Sequence, residues 1–204
     1  ISGSIEVVSG THVIQITKAA GKHHLENVLD TANVAYYLEV ISGDLEGHRF
    51  DITDALDDTL TLAVDDNVVS GPPYNSIVTT GSLPAALVGD TFLIKAHYTL
   101  EEYFPPKFPF VASESLSETS DQIYLFTPSG WKVFWLYKGD VDEDGGGKKR
   151  WVANGDLTFQ DAGRQVIAPG EGLLVKPGSN DLSMLAVGTV RKNNFHRPLA
   201  AGYN

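Results

Sequence analysis

Cysteine is absent from the 204 residues. That excludes a disulfide scaffold and thiolate chemistry, while leaving the cellular compartment open. No apolar run approaches the roughly 20 residues that a membrane-crossing helix needs. Methionine occurs once, and cations are scarce: 15 Lys and Arg stand against 26 Asp and Glu, a formal net charge of -11. A surface that tracks phosphates needs clustered Lys and Arg. The one basic knot, Lys148-Lys149-Arg150, follows an acidic loop. Nucleic acid and an anionic membrane surface are therefore not expected as partners, nor, without a spanning run, is membrane insertion. Catalytic signatures are missing too. There is no G-x-S-x-G turn and no H-E-x-x-H helix. None of the six histidines has zinc-site spacing, and adjacent His23 and His24 would point in different directions. The expectation is a protein that is not an enzyme and has no required cofactor.

Glycine (20) and proline (10) are frequent, 42% of the chain is apolar and 20% is charged. This is the profile of a globular chain of many short strands with turns between them. Gly89–Pro106 (GDTFLIKAHYTLEEYFPP) organises the rest. Thr91 to His97 alternates with a period of two, as a strand with one buried face does. Thr99 and Glu102 have capping-box spacing, so a single helical turn is expected before Pro105-Pro106 ends it. Ahead of this stretch, Ser4–Ser9, His12–Thr17, Val34–Ser42, His48–Thr53 and Thr59–Val64 read as strands, the first two joined by a Gly10-Thr11 turn. Ala19–Asn33 is the least strand-like part, either about two turns of amphipathic helix or a loop lying over a barrel end. Beyond it, strands are expected at Gln122–Thr127, Trp131–Lys138, Lys149–Ala153, Leu157–Phe159, Gln165–Ala168, Gly172–Lys176 and Leu182–Val190. Trp131–Lys138 (WKVFWLYK) is apolar on both faces, so it should be covered on both sides. The fold class is thus all-β: two small β-barrel or β-sandwich units packed together, with at most one or two short helices. The expected division is residues 1–106, a connector 107–121 rich in Ser and Glu, and residues 122–204 ending in an extended segment.

Three sets of residues are candidates for function. Asp140, Asp142 and Asp144 before Gly145 match the first half of an EF-hand-type calcium loop, where carboxylates converge and glycine permits the turn. The twelfth position is Trp151 rather than a bidentate Glu, so a solvated hairpin loop is the competing reading and calcium is an alternative rather than a requirement. Trp131, Trp135 and Trp151 could form a sugar-stacking platform, against the competing reading of core aromatics. The chain starts and stops in strand-like sequence. An unpaired terminal strand can add to a neighbour's sheet edge, which marks Ile1, Ile5 and Val7 at one end and Phe195, Pro198, Leu199 and Tyr203 at the other as candidate interface residues. Pairing of both ends within their own chain is the alternative.

Tyr36–Thr53 (YYLEVISGDLEGHRFDIT), Val88–Pro106, Ala168–Gly178 (APGEGLLVKPG) and Phe195–Asn204 (FHRPLAAGYN) occur in an order that resembles an uncharacterised family of exported all-β proteins found in Verrucomicrobia and related bacteria. The resemblance rests on turn and strand residues and runs the length of the chain. It implies an extracellular or cell-surface protein after signal-peptide removal, and it carries no activity. Taken with the composition, it leads to the expectation of a structural protein: a homo-polymeric subunit of a filament or surface layer, joined through terminal strands and sheet edges. The alternative is a carbohydrate-binding or adhesin module that recognises cell-surface glycan through its Trp-rich second half, with calcium.

Overall fold

The computed structural model describes residues 1–10, 12–17, 24–63, 82–107, 110–114, 119–127, 130–139, 148–167 and 172–178. It is all-β, with one four-residue α-helix among the described residues. Its compact units divide between His97 and Tyr98.

The first unit is a closed six-stranded antiparallel barrel. Its strands are β1 (Ser2–Ser9), β2 (Val13–Ile16), β3 (Tyr36–Val40), β4 (Arg49–Leu56), β5 (Thr59–Leu62) and β6 (Thr91–Ala96), in the order β1-β2-β5-β4-β3-β6. Alternation decides which side chains fill it. Leu38 and Val40 of β3, Phe50 and Ile52 of β4, and Phe92 and Ile94 of β6 all face inward, with Ile5, Ile14, Leu60 and Leu62. Full burial of each such side chain contributes about 1.5–3 kcal/mol. Closure depends on β1 meeting β6, where Gly3 lies opposite Phe92. A barrel has no free edge, so β1 is paired on both sides within its own chain. Of the expected two helical turns, a 3-10 turn at Leu25–Asn27 is described.

Asp90 precedes β6 and its backbone carbonyl accepts from the Ile5 amide at 2.9 Å, tying β1 to that corner. Its side chain is 7% exposed. Oδ2 has no hydrogen-bond partner among the described residues. Burial first, and the charge of Asp44 second, push the Asp90 carboxyl above its ordinary value of 3.8. The folded state therefore holds this proton more tightly than the unfolded chain does. That contribution to stability is fully present below the ordinary value and is lost as pH rises through the raised one. Asp90→Asn is expected to flatten this part of the stability profile. Urea midpoints taken across the acid range, for wild type and variant, check it; parallel profiles would show that Asp90 does not carry the dependence.

The second unit has a sheet and a short ladder. β8 (Gln122–Thr127), β9 (Gly130–Tyr137), β10 (Arg150–Ala153) and β12 (Leu173–Lys176) form an antiparallel sheet in the order β10-β9-β8-β12. β7 (Tyr98–Thr99) pairs with β11 (Val166–Ile167). The expected helical turn is present as α1 (Leu100–Tyr103). Glu102 reaches back as the capping pattern requires, accepting from the Thr99 amide at 2.7 Å and its hydroxyl at 2.9 Å. Leu100, Phe104 and Phe110 then pack with Ile123, Leu125, Phe134, Leu136 and Trp151. That packing draws 98–106 into the second unit, whereas the sequence pattern assigned it to the first. The other face of β9 is covered as well: Trp135 and Tyr137 pack with Val152 and Phe159. Leu157–Phe159 is not a strand. The Asp156 carboxylate collects the Thr158 amide, the Thr158 hydroxyl and the Gln160 amide at 2.6–2.8 Å, and that local turn displaces ladder pairing. Those hydrogen bonds, led by the one from the Thr158 side chain, hold the Asp156 carboxyl below its ordinary value.

Candidate functional site

One face of the second unit's sheet is buried at one end and open at the other. In register, Phe126 lies opposite Trp131, Tyr124 opposite Val133, and Leu174 of β12 opposite Tyr124. Alternation puts Trp131, Val133, Tyr124, Phe126 and Leu174 on the same face. Trp131 is 56% exposed and Leu174 51%. The Trp131 ring meets Phe126 and Tyr124 edge-on, at centroid distances of 5.2 and 6.2 Å. Ring quadrupoles favour this arrangement, and the indole it holds stays more than half exposed. β12 is the last strand of the sheet, and no strand lies on its outer side among the described residues. Its other leucine, Leu173, is exposed too. Among the described residues the apolar patch thus borders a sheet edge that bears two exposed leucines.

The structure separates the three tryptophans. Trp151 is fully buried and donates from Nε1 to the Phe104 carbonyl at 2.6 Å. Trp135 is buried edge-on to Tyr137 and Phe159. A three-tryptophan sugar platform is therefore corrected to Trp131 alone, because the other two rings fill the two cores on either side of the sheet. The N-terminal interface set is corrected as well. Ile5 is 1% exposed inside the barrel, and β1 is held by β2 and β6, so it is not a free donor strand. Ile1 and Val7 are exposed. Phe195, Pro198, Leu199 and Tyr203 lie outside the described residues, as do Asp140, Asp142 and Asp144. Sequence reasoning passed over Tyr124, Phe126 and Leu174. The available signal was Leu173-Leu174: adjacent strand residues face opposite ways, so an edge strand here sets one leucine on each face of the sheet.

The barrel has a polar layer where alternation alone predicts solvated side chains. Tyr37 and Glu39 of β3, Arg49 and Asp51 of β4, and Lys95 of β6 with His97 after it point away from the core. Yet Glu39, Arg49 and His97 are buried. Lys95 Nζ donates to Glu39 Oε2 at 2.5 Å, and His97 Nε2 contacts Asp51 Oδ1 at 2.8 Å. The Tyr37 ring packs on His97 at 4.7 Å between centroids. The contacts of Glu39 with Lys95 and of His97 with Asp51 supply the pairing that buried polar groups need.

No family model, no curated protein and no solved structure matches this chain.

Proposed function

We propose that this chain is an exported structural subunit that associates with copies of itself, in a filament or layer outside the cell. The observation that carries the reading is the edge of β12, which bears exposed Leu173 and Leu174 and continues into the Trp131–Phe126–Tyr124 patch. A strand supplied by a neighbouring copy would complete the backbone ladder and cover these side chains, as in strand addition generally. The donor we favour is the C-terminal stretch. Phe195, Leu199 and Tyr203 supply its apolar side chains, and Pro198 is tolerable where its missing amide faces away from the ladder. Because β1 closes the barrel, the joint in this reading runs from the C-terminal stretch of one copy to β12 of the next. The acidic composition and the likeness to exported bacterial β-proteins support an extracellular or cell-surface setting.

Negative-stain microscopy of the concentrated protein tests the reading. Filaments, tubes or sheets are expected for the wild type, and dispersed particles for Leu174→Lys, which sets a charge in the apolar joint. Dispersed wild-type particles at every concentration would overturn it. The second reading, a glycan-binding module, is favoured by the exposed Trp131 indole, since a flat aromatic face stacks on a sugar ring. Wild-type binding on a glycan array that Trp131→Ala abolishes, together with dispersed particles, would replace the first reading with the second.

A further inference from the structure

The barrel carries a second candidate, which is independent of the sheet edge. His24 precedes the 3-10 turn at Leu25–Asn27, Glu26 lies within that turn, and Asp57 sits in the tight turn between β4 and β5. The three side chains are exposed, and one ligand atom from each lies within 4.8 Å of the others. His24 Nδ1 stands 3.2 Å from Glu26 Oε1 and contacts Asp57 Oδ1 directly. The two chain segments are fixed to each other by the backbone. The Asp57 amide donates to Glu26 Oε2 at 2.7 Å, and the Leu25 amide donates to the Asp57 carbonyl at 3.1 Å. The neighbouring acids are engaged elsewhere: Asp58 accepts from Gln15 Nε2 and Asp30 from Asn33 Nδ2.

We propose that His24, Glu26 and Asp57 bind a divalent transition-metal ion, zinc being the representative case. Three features favour it over a run of solvated charge. The donors are mixed, one imidazole nitrogen with two carboxylate oxygens, which is the composition of nitrogen–oxygen zinc sites. They come from separate segments that the fold brings together, so the set is largely formed before any ion arrives. Two carboxylates balance the charge of a dication, and imidazole is in general a neutral metal ligand. Zinc–donor distances of about 2.0–2.2 Å require the three donors to draw closer together. Exposed side chains on a fixed backbone can make that movement by rotation. Three protein donors leave a tetrahedral ion one position for water. Calcium and magnesium prefer all-oxygen shells, so the imidazole selects against them. Sequence spacing could not show this set, because Asp57 lies 31 residues from Glu26.

Calorimetry of the full chain with zinc chloride tests the proposal, with calcium and magnesium chloride as comparators. Zinc is expected to bind at one site with a Kd in the micromolar range, and calcium and magnesium at least about tenfold more weakly. His24→Ala and Asp57→Asn should each raise the zinc Kd about tenfold or more, while His12→Ala, at an exposed histidine elsewhere, should leave it unchanged. Zinc should also raise the melting temperature of the wild type, and a chelator should reverse the shift. Absence of zinc heat would overturn the proposal. So would wild-type affinity in folded His24→Ala and Asp57→Asn, or an equal loss in His12→Ala.

Discussion

Trp151→Ala should destabilise the second unit by about 4–5 kcal/mol, the largest single-residue effect expected anywhere in the described chain. The indole is wholly enclosed and lies edge-on to Phe110 at 5.5 Å between centroids. It is also the hydrogen-bond donor to the Phe104 carbonyl, at 2.6 Å. Two losses therefore coincide. A cavity the size of an indole opens among Leu100, Phe104, Phe110 and Leu136, and a buried carbonyl loses its donor. Trp151→Phe separates the two. It refills much of the volume but restores no donor, so a loss of about 2 kcal/mol is expected from it. Urea denaturation of the three proteins checks the ranking. Equal effects of Ala and Phe would assign the stability to the hydrogen bond alone, and no effect of either would remove Trp151 from the core.

The corner that closes the barrel should be nearly as sensitive. Gly43 has φ of +74, and a Cβ built there would lie 1.8 Å from Asp90 Oδ1 and 2.6 Å from its Cγ. Alanine at this position meets two penalties, the left-handed backbone at about 1 kcal/mol and steric overpacking at about 1–3 kcal/mol. The Asp90 backbone is held by the Ile5 amide and by the next residue's amide on Ser42 Oγ at 2.8 Å, so relief must come from rotation of a carboxylate that is itself buried. A total loss of about 3 kcal/mol is expected for Gly43→Ala. In Gly43→Ala with Asp90→Ala, the clash disappears and the backbone penalty remains. A double-mutant cycle by chemical denaturation should therefore give a favourable coupling of about 1–2 kcal/mol. Additive losses would mean that the two residues do not press on each other.

Much of the architecture could be read before any coordinates, for a physical reason. A strand with one buried face must alternate, so Leu38 and Val40, Phe50 and Ile52, and Phe92 and Ile94 announced the barrel interior. The turn at Leu100–Tyr103 was legible because Thr99 and Glu102 satisfy each other locally. What could not be read depends on contacts between distant residues. Glu39, Arg49 and His97 alternate as solvated positions do yet are buried, and Glu39 and His97 find their partners on neighbouring strands, Lys95 and Asp51. The boundary between the units fell earlier than Pro106 because Leu100, Phe104 and Phe110 join the core around Trp151. Composition and polarity had suggested the Ser- and Glu-rich stretch instead. WKVFWLYK was rightly read as covered on both sides where it holds Phe134 to Tyr137, but its first residue, Trp131, lies beyond that cover. The same limit applies to the metal-ligand set, since no spacing rule connects His24 to Asp57.

Association through the β12 edge is open to light scattering after size exclusion, on wild type and Leu174→Lys side by side over a range of concentrations. The wild-type mass should grow with concentration well beyond one chain, while the variant stays at the 22.1 kDa of a single chain. A wild type that stays at that mass throughout, or a variant that assembles as the wild type does, would contradict it.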